Sequence, residues 1–520
     1  MKLEIINSYQ KRRFTPPFFF NQIFNMNFKF KEILYFTFFL VSLSLVSQNK
    51  KQNILFIGVD DLRPLISSYG HEQMITPNID KLASEGVQFN QAYTNVAVCG
   101  ASRASILTGV RGSNSRFYRY YSRVDEDLPK AVTLAKLFRQ NGYKTASLGK
   151  IYHNTRDNID EWDIHKSFQN FTGYQNPKSL KSIKDRNERH PSNGKLKGPA
   201  FEYANVADDA YNDGKLTDYA IKTLSNFKKS GDPFFLAVGY ISTHLPFIQP
   251  QKYGDMYNDN DIVYSKLRDI PINAPSRAKH QWSELRNAYL DIPQNGPVSA
   301  QMEKDLIKSY YASVSYMDAM LGKLINALDD FGLRENTTIV FWSDHGFFLG
   351  EHGFWCKHHT FQEAIHVPLI VSSPGMKSNV QSDALIEYVD IYPTISELAG
   401  LNPPDYIHGK SFVPLLKNPN LDFKEQIYSR YQFREVVQDK EYSYHEILYY
   451  PKTEKNKYGA KTHVPGTKIV VTQKMLFDMK NDKNQSINIS DYPENKNIVE
   501  KYSRKLKNMR DFSENKISIK

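Results

Sequence analysis

Five short, strongly apolar runs constrain this 520-residue chain more than anything else in it: Asn53–Val59, Thr145–Leu148, Pro233–Gly239, Thr337–Trp342 and Val367–Val371. Each has the length and composition of a buried strand. Helical patterns lie among them at Asn78–Gly86, Thr133–Gly142, Leu216–Lys228 and Met302–Phe331, several closed by glycine. Such alternation predicts an α/β fold, a large, mostly parallel sheet sandwiched by helices. No internal repeat interrupts it. Hydrophobic residues make up 40% and charged residues 24% of the chain, which excludes disordered and fibrous classes.

In open α/β sheets ligands bind beyond the carboxyl ends of the strands. The residues that follow these runs are strongly polar. Asp60 and Asp61 follow the first, Lys150 and His153 the second, His244 the third, and Asp344 and His345 the fourth. Taken singly, each is an ordinary turn or cap residue. Together they deliver carboxylates, imidazoles and an amine to one edge of one sheet. Asp60, Asp61 and Asp344 with His345 offer an oxygen-rich donor set, which suits calcium or magnesium better than zinc.

At the N-terminus, Lys29 and Lys31 precede an apolar run from Ile33 to Val46 that ends around Ser47 and Gln48. A basic flank, a short apolar core and small or polar residues after it form an export signal, too short to span a membrane comfortably. The expected location is therefore periplasmic or secreted, with no membrane association once the signal is removed. Met26 is an alternative start that gives the signal ordinary proportions. Loss of residues 1–47 lowers the formal charge from +11 to +7, still an excess that steers polyanions toward the surface. No basic-aromatic stripe points to nucleic acid.

Residues 160–215 and 250–300 are polar, rich in Asn, Lys and Pro, and read as long loop insertions over the site edge. Beyond about Asn418 the composition turns to Lys, Tyr and Asn, with a strand expected at Lys468–Thr472. The implied organisation is an N-terminal extension and signal over 1–47, a catalytic domain over 48–420 and a smaller α+β subdomain over 421–520.

The segment Cys99-Gly100-Ala101-Ser102-Arg103, continued by Leu107-Thr108-Gly109, resembles the signature of type I sulfatases, members of the alkaline-phosphatase-like superfamily. In that family the cysteine is oxidised to formylglycine (3-oxoalanine). The resemblance runs from about Asn53 to Leu416 and is closest to the iduronate-2-sulfatase-like branch. Its landmarks are Val59-Asp60-Asp61-Leu62-Arg63-Pro64, Gly149-Lys150-Ile151-Tyr152-His153, Phe234–Tyr240, and Ser343-Asp344-His345-Gly346 through Lys357.

The resemblance implies a formylglycine hydrate at position 99 as nucleophile and a calcium ion held by Asp60, Asp61, Asp344, His345 and the modified Cys99. It also implies that Arg103 holds the hydrate and that Lys150 and Lys357 contact sulfate oxygens. His153 then takes the hydrate proton, and His244 protonates the departing sugar oxygen. A formylglycine-generating or anaerobic sulfatase-maturating enzyme is an implied partner, and the implied substrate is a sulfated oligo- or polysaccharide. With Cys99 so modified, Cys356 is left as an unpaired thiol with a packing role. His358, His359 and His366 have no expected role.

The human-type iduronate enzyme carries a basic, His-rich stretch where this chain reads Ile241, Ser242 and Ile248 around His244. An algal polysaccharide such as ulvan is therefore the first expectation for the substrate, and a glycosaminoglycan of the iduronate type the second. The rival from another class is a pseudo-sulfatase that binds sulfated glycans with Cys99 unmodified. A phosphatase of the same superfamily would place Ser or Thr at the nucleophile.

Overall fold

A computed structural model of the protein describes residues 51–168, 173–189, 198–455, 461–464, 467–515, 517 and 519. The expected export segment, residues 1–47, lies outside the described residues. Among those described, no helix is long and apolar enough to cross a membrane.

The main sheet has eight strands: β1 (Asn53–Val59), β2 (Val87–Phe89), β3 (Lys144–Gly149), β4 (Ile164–Lys166), β5 (Phe234–Tyr240), β6 (Thr337–Ser343), β7 (Leu369–Ser372) and β8 (Val380–Ser382). Their spatial order is β8-β2-β7-β6-β1-β5-β3-β4. Strand β7 runs against both of its neighbours, and every other pairing is parallel. The sheet is thus mostly parallel, with β1 at its centre between β6 and β5.

Strand β1 is buried on both faces because alternate side chains enter two separate cores. Leu55, Ile57 and Val59 pack with α1 (Pro77–Ser84), α4 (Asn212–Ser230) and the long α6 (Ala300–Asp330). Ile54 and Phe56 pack on the other side with α2 (Cys99–Thr108) and α3 (Leu134–Gln140). Helix α3 starts where the side chain of Thr133 accepts a hydrogen bond from Lys136 N, closing one of its open amides.

A second, antiparallel sheet follows, in the order β9 (Ile427–Tyr431), β10 (Arg434–Gln438), β11 (Tyr442–Tyr449), β12 (Val470–Asp478). One face packs on α7 (Lys496–Glu514) through Val437, Tyr444 and Leu476. The other meets Phe348 and Phe361 through Val436 and Phe477.

Two expectations need correction. The segment 160–215 is not a loop insertion, because Ile164–Lys166 supplies the edge strand β4 and Pro177–Arg189 is a helix. A three-residue strand is too short to show a period, and this helix buries only Ser179 and Arg186, so it has no apolar stripe. Likewise 250–300 contains the short helix α5 (Ser283–Ala288).

Candidate active site

Four neighbouring parallel strands, β6, β1, β5 and β3, end at the same edge, and their following residues form the floor of a cleft. Asp60 and Asp61 leave β1, and Asp61 takes a left-handed φ of 59°, a strained conformation for a non-glycine residue. Its amide donates to Asp344 Oδ1 at 3.0 Å, as does the amide of His345. Cys99 opens α2, with its Sγ 3.2 Å from His345 Nε2. One turn on, Arg103 is fully buried. Its Nε donates to Asp344 Oδ2 (2.9 Å), its Nη2 to Asp60 Oδ1 (3.1 Å) and its Nη1 to the carbonyls of Lys150 and Ile151.

Lys150, at the end of β3, pairs with Asp60. Lys357 Nζ lies 2.9 Å from Asp61 Oδ2 and 2.8 Å from Glu284 Oε1 on α5. Glu351, near Lys357 in sequence, instead binds Arg63 at 2.8 Å. His244 follows β5 on a turn that Asp213 holds by accepting from the amides of Ile241 (3.1 Å) and Ser242 (2.8 Å). Its Nδ1 is 2.5 Å from the Leu245 carbonyl, and its Nε2 is 3.2 Å from both Glu284 Oε1 and Lys357 Nζ.

Charge at this floor is sorted by position. Burial pushes Asp60 up, but Lys150, His244 and Arg103 outweigh it and hold the carboxyl well below its ordinary range. Burial dominates at Asp344, which is pushed up to about 7 despite Arg103 and His345, and at Asp61, which is raised despite Lys357. Burial and Asp60 push the Cys99 thiol up, yet Lys150, Lys357 and His345 overcome them and draw it well below the ordinary thiol range. Position 99 therefore favours negative charge.

The residues fit a divalent cation with oxygen ligands. Donor atoms of Asp60, Cys99, Asp344 and His345 lie within 4.8 Å of one another, and Asp61, Cys99 and His244 form an overlapping set. Asp61 Oδ1 is buried and receives no hydrogen bond. Three carboxylates with no exposed surface, one with an oxygen that takes no hydrogen bond and lies 3.4 Å from His345 Nδ1, match a hard cation's preference.

Above the floor opens a cleft of about 990 Å³, lined by Cys99, His153, His244 and Lys357 below and by residues 276–284 and 431–434 on its walls. His153 Nδ1 is buried without a hydrogen-bond partner. Glu284, absent from the residues singled out in the sequence, lies in the non-periodic 250–300 segment. Only its apposition to His244 and Lys357 reveals it. His358 also lines the cleft, on backbone with a φ of 74°. Cys356, fully buried, is a free thiol like Cys99.

A family model described as Sulfatase matches residues 52–401. The chain belongs to the sulfatase family. A second model, N-sulphoglucosamine sulphohydrolase, C-terminal, matches residues 350–512 of this sulfatase, which span the second sheet. Among curated relatives, iduronate 2-sulfatase of Homo sapiens is 33% identical over 425 residues, covering 74% of this chain and 75% of that one. A sulfatase of Formosa agariphila is 32% identical over 405 residues, covering 71% and 74%. The solved structure of BT4656 in complex with its substrate D-glucosamine-2-N,6-O-disulfate superposes with a TM-score of 0.67 at 22% identity, covering 89% of this chain and 98% of that one. The sulfatase thus has the alkaline-phosphatase-like fold and is a sulfuric ester hydrolase. Its Arg103 bonds to two carboxylates and two carbonyls, so its visible work is to position Asp60 and Asp344 beneath residue 99.

Proposed function

We propose that the protein is an exported sulfatase, periplasmic or secreted, that hydrolyses sulfate esters of a sulfated saccharide, with Cys99 converted to formylglycine and a calcium ion at Asp60, Asp61, Asp344 and His345. The observation that carries this reading is the placement of Cys99, in its Cys-Gly-Ala-Ser-Arg segment, between three buried carboxylates and the ammonium groups of Lys150 and Lys357. Cys99 Sγ stands in for the oxygen of the modified residue. Once both groups are in place, the formylglycine hydrate supplies the oxygen nucleophile toward sulfur, and calcium supplies positive charge that favours its ionised form.

The chain's own residues do the rest. Lys150 and Lys357 set positive charge where the sulfate oxygens lie, fixed there by Asp60, Asp61 and Glu284 before substrate arrives. His244 donates the Nε2 proton to the sugar oxygen as the ester S–O bond breaks, while its Nδ1 is anchored on the Leu245 carbonyl. His153 would take the proton from one hydroxyl of residue 99 after the other has received the sulfuryl group from the sugar oxygen, so that the carbon–oxygen bond to sulfate breaks and water rehydrates the aldehyde. Overall, one water is consumed, and the sugar alcohol and sulfate are released.

The named relatives include an iduronate 2-sulfatase, which supports a glycosaminoglycan-type substrate; an ulvan-type algal saccharide is the second member of the panel below. Sulfate release is measured across defined sulfated oligosaccharides of both kinds, using protein co-expressed with a formylglycine-generating enzyme and a Cys99→Ala control. Release by the wild type and none by the control is expected. A converted Cys99 with no release from any sulfated sugar defeats the substrate assignment. A peptide that keeps its sulfur under these conditions defeats the formylglycine assignment and favours a glycan-binding role.

A further inference from the structure

The cleft walls carry charge that the hydrolysis of a single sulfate does not use. Arg434, the first residue of β10, is only 6% exposed, yet among the described residues no carboxylate lies within ion-pair distance of it. Arg103, Arg111, Arg430 and Arg510 are also buried and each faces a carboxylate, whereas Arg116, away from the cleft, bonds the Ser513 carbonyl and like Arg434 has no carboxylate at ion-pair distance among the described residues. Arg434 instead donates from Nη2 to the carbonyls of Arg277 (2.9 Å) and Lys279 (3.1 Å), and its Nε has no hydrogen-bond partner. Burying an uncompensated cation is costly, and an anion in the cleft that reached Arg434 would offset that cost.

A second guanidinium adds to that cost. Arg277 shares the wall with Arg434, and both sit on the Phe433 ring, at 5.3 and 4.5 Å from its centroid. Arg277 also bonds Thr472 Oγ1 at 3.0 Å, which holds it in place. Burial pushes Arg434 down to about 10, and Arg277 adds to the effect. Of the residues lining the cleft, Glu284 is the one carboxylate, and it is already engaged by Lys357 and His244. The wall is therefore short of negative charge at the place where two arginines converge.

We propose that Arg434 and Arg277 form a subsite for a second anionic group of the substrate, a carboxylate or a further sulfate, on the saccharide whose sulfate ester is cleaved at residue 99. The inference rests on the sulfatase reading above and narrows it to substrates that carry at least two negative groups. A volume of about 990 Å³, at the upper end for small-ligand pockets, holds more than one sugar ring. Planar guanidinium donors match either oxyanion.

The test compares three substrates with the converted enzyme: a monosulfated disaccharide bearing a uronate, its analogue with the carboxyl reduced to an alcohol, and that reduced analogue bearing a second sulfate. The wild type is expected to favour either doubly anionic substrate over the reduced one by about tenfold to a hundredfold in kcat/KM, mainly through KM. Arg434→Gln is expected to lower that ratio at least severalfold, and Arg434→Lys to restore part of it. Arg277→Ala, at an exposed side chain, provides the same readout should Arg434→Gln fail to fold. A ratio unchanged in the variants, or parallel losses on all three substrates, overturns the subsite and leaves the sulfatase reading standing. Turnover of none of them by the wild type overturns the glycosaminoglycan-type substrate and the subsite with it.

Discussion

Lys357 is held from two sides, by Asp61 on the floor and Glu284 on the wall, and Glu284 also receives His244 Nε2. Glu284→Gln keeps the shape and removes the charge that fixes both groups. It is expected to lower kcat/KM for sulfate release by about tenfold to a hundredfold while the melting temperature moves by only a few degrees, because the group is partly exposed. Equal loss of fold and activity would make Glu284 merely structural. Arg103 has the opposite balance. Arg103→Ala leaves Asp60 and Asp344 facing each other without their shared cation, and a loss of about 3–5 kcal/mol in chemical denaturation is expected even for unconverted protein. Asp60, Asp61, Lys150, Asp344 and His345 were legible in the sequence because each stands within two residues of a strand's end, and His153 and His244 because they lie on the turns that follow two such strands. Cys99 and Lys357 stood out only through their resemblance to a family, and Glu284 not at all, since it follows no apolar run and shares its helix with no periodic pattern.

Between elements, close approaches and buried ties decide what can change. At Gly100, on the first turn of α2, a Cβ would lie 1.9 Å from the Tyr120 carbonyl oxygen. Gly100→Ala is expected to displace the Arg119–Ser122 loop from the cleft and destabilise the unconverted chain by about 1–3 kcal/mol, read by thermal unfolding. Farther from the cleft, Glu387 ties Arg111 (2.5 and 2.9 Å), Lys424 and the β9 amide of Tyr428 together. Burial pushes Glu387 up, but Arg111 and Lys424 pull it far below its ordinary 4.5. The stability it contributes is thus complete above about pH 4.5 and lost as pH falls toward the lowered value. Glu387→Gln should be less stable than wild type near neutrality, and the gap should narrow below pH 4.5; a gap independent of pH would rule this out. The β1, β3, β5 and β6 runs were visible as apolar stretches within one or two residues of their ends. Strands β2 and β4 were hidden by their brevity. In the second sheet only Lys468–Thr472 was anticipated, against an observed Val470–Asp478, because β9, β10 and β11 mix Tyr, Arg, Glu and His with their apolar residues.

For the molecule as a whole, the proposed calcium site would couple folding to a cation through three buried carboxylates at the carboxyl edge of the main sheet. Chelation of divalent ions is expected to lower the melting temperature and calcium to restore it, with about 2.7 kcal/mol of stabilisation at a hundred times the dissociation constant. Asp61→Asn should shrink that response, and a melting curve indifferent to calcium would remove the ion from the site. The α/β class and the position of the site at one sheet edge followed from the alternation of runs and helices. Of the cleft walls, the one at 276–284 lies in the 250–300 segment expected over the site edge, whereas the one at 431–434 did not follow from the sequence, because it comes from the second sheet and only the folded chain brings it there. This division bears on how such a protein changes by descent. Floor and walls are written in different stretches of the gene, so mutations that exchange one saccharide for another can accumulate in the walls while the hydrolytic residues stay fixed. Glu284 is the exception, a wall residue whose partner is a floor lysine, and any inherited replacement of that segment has to bring a carboxylate to the same spot.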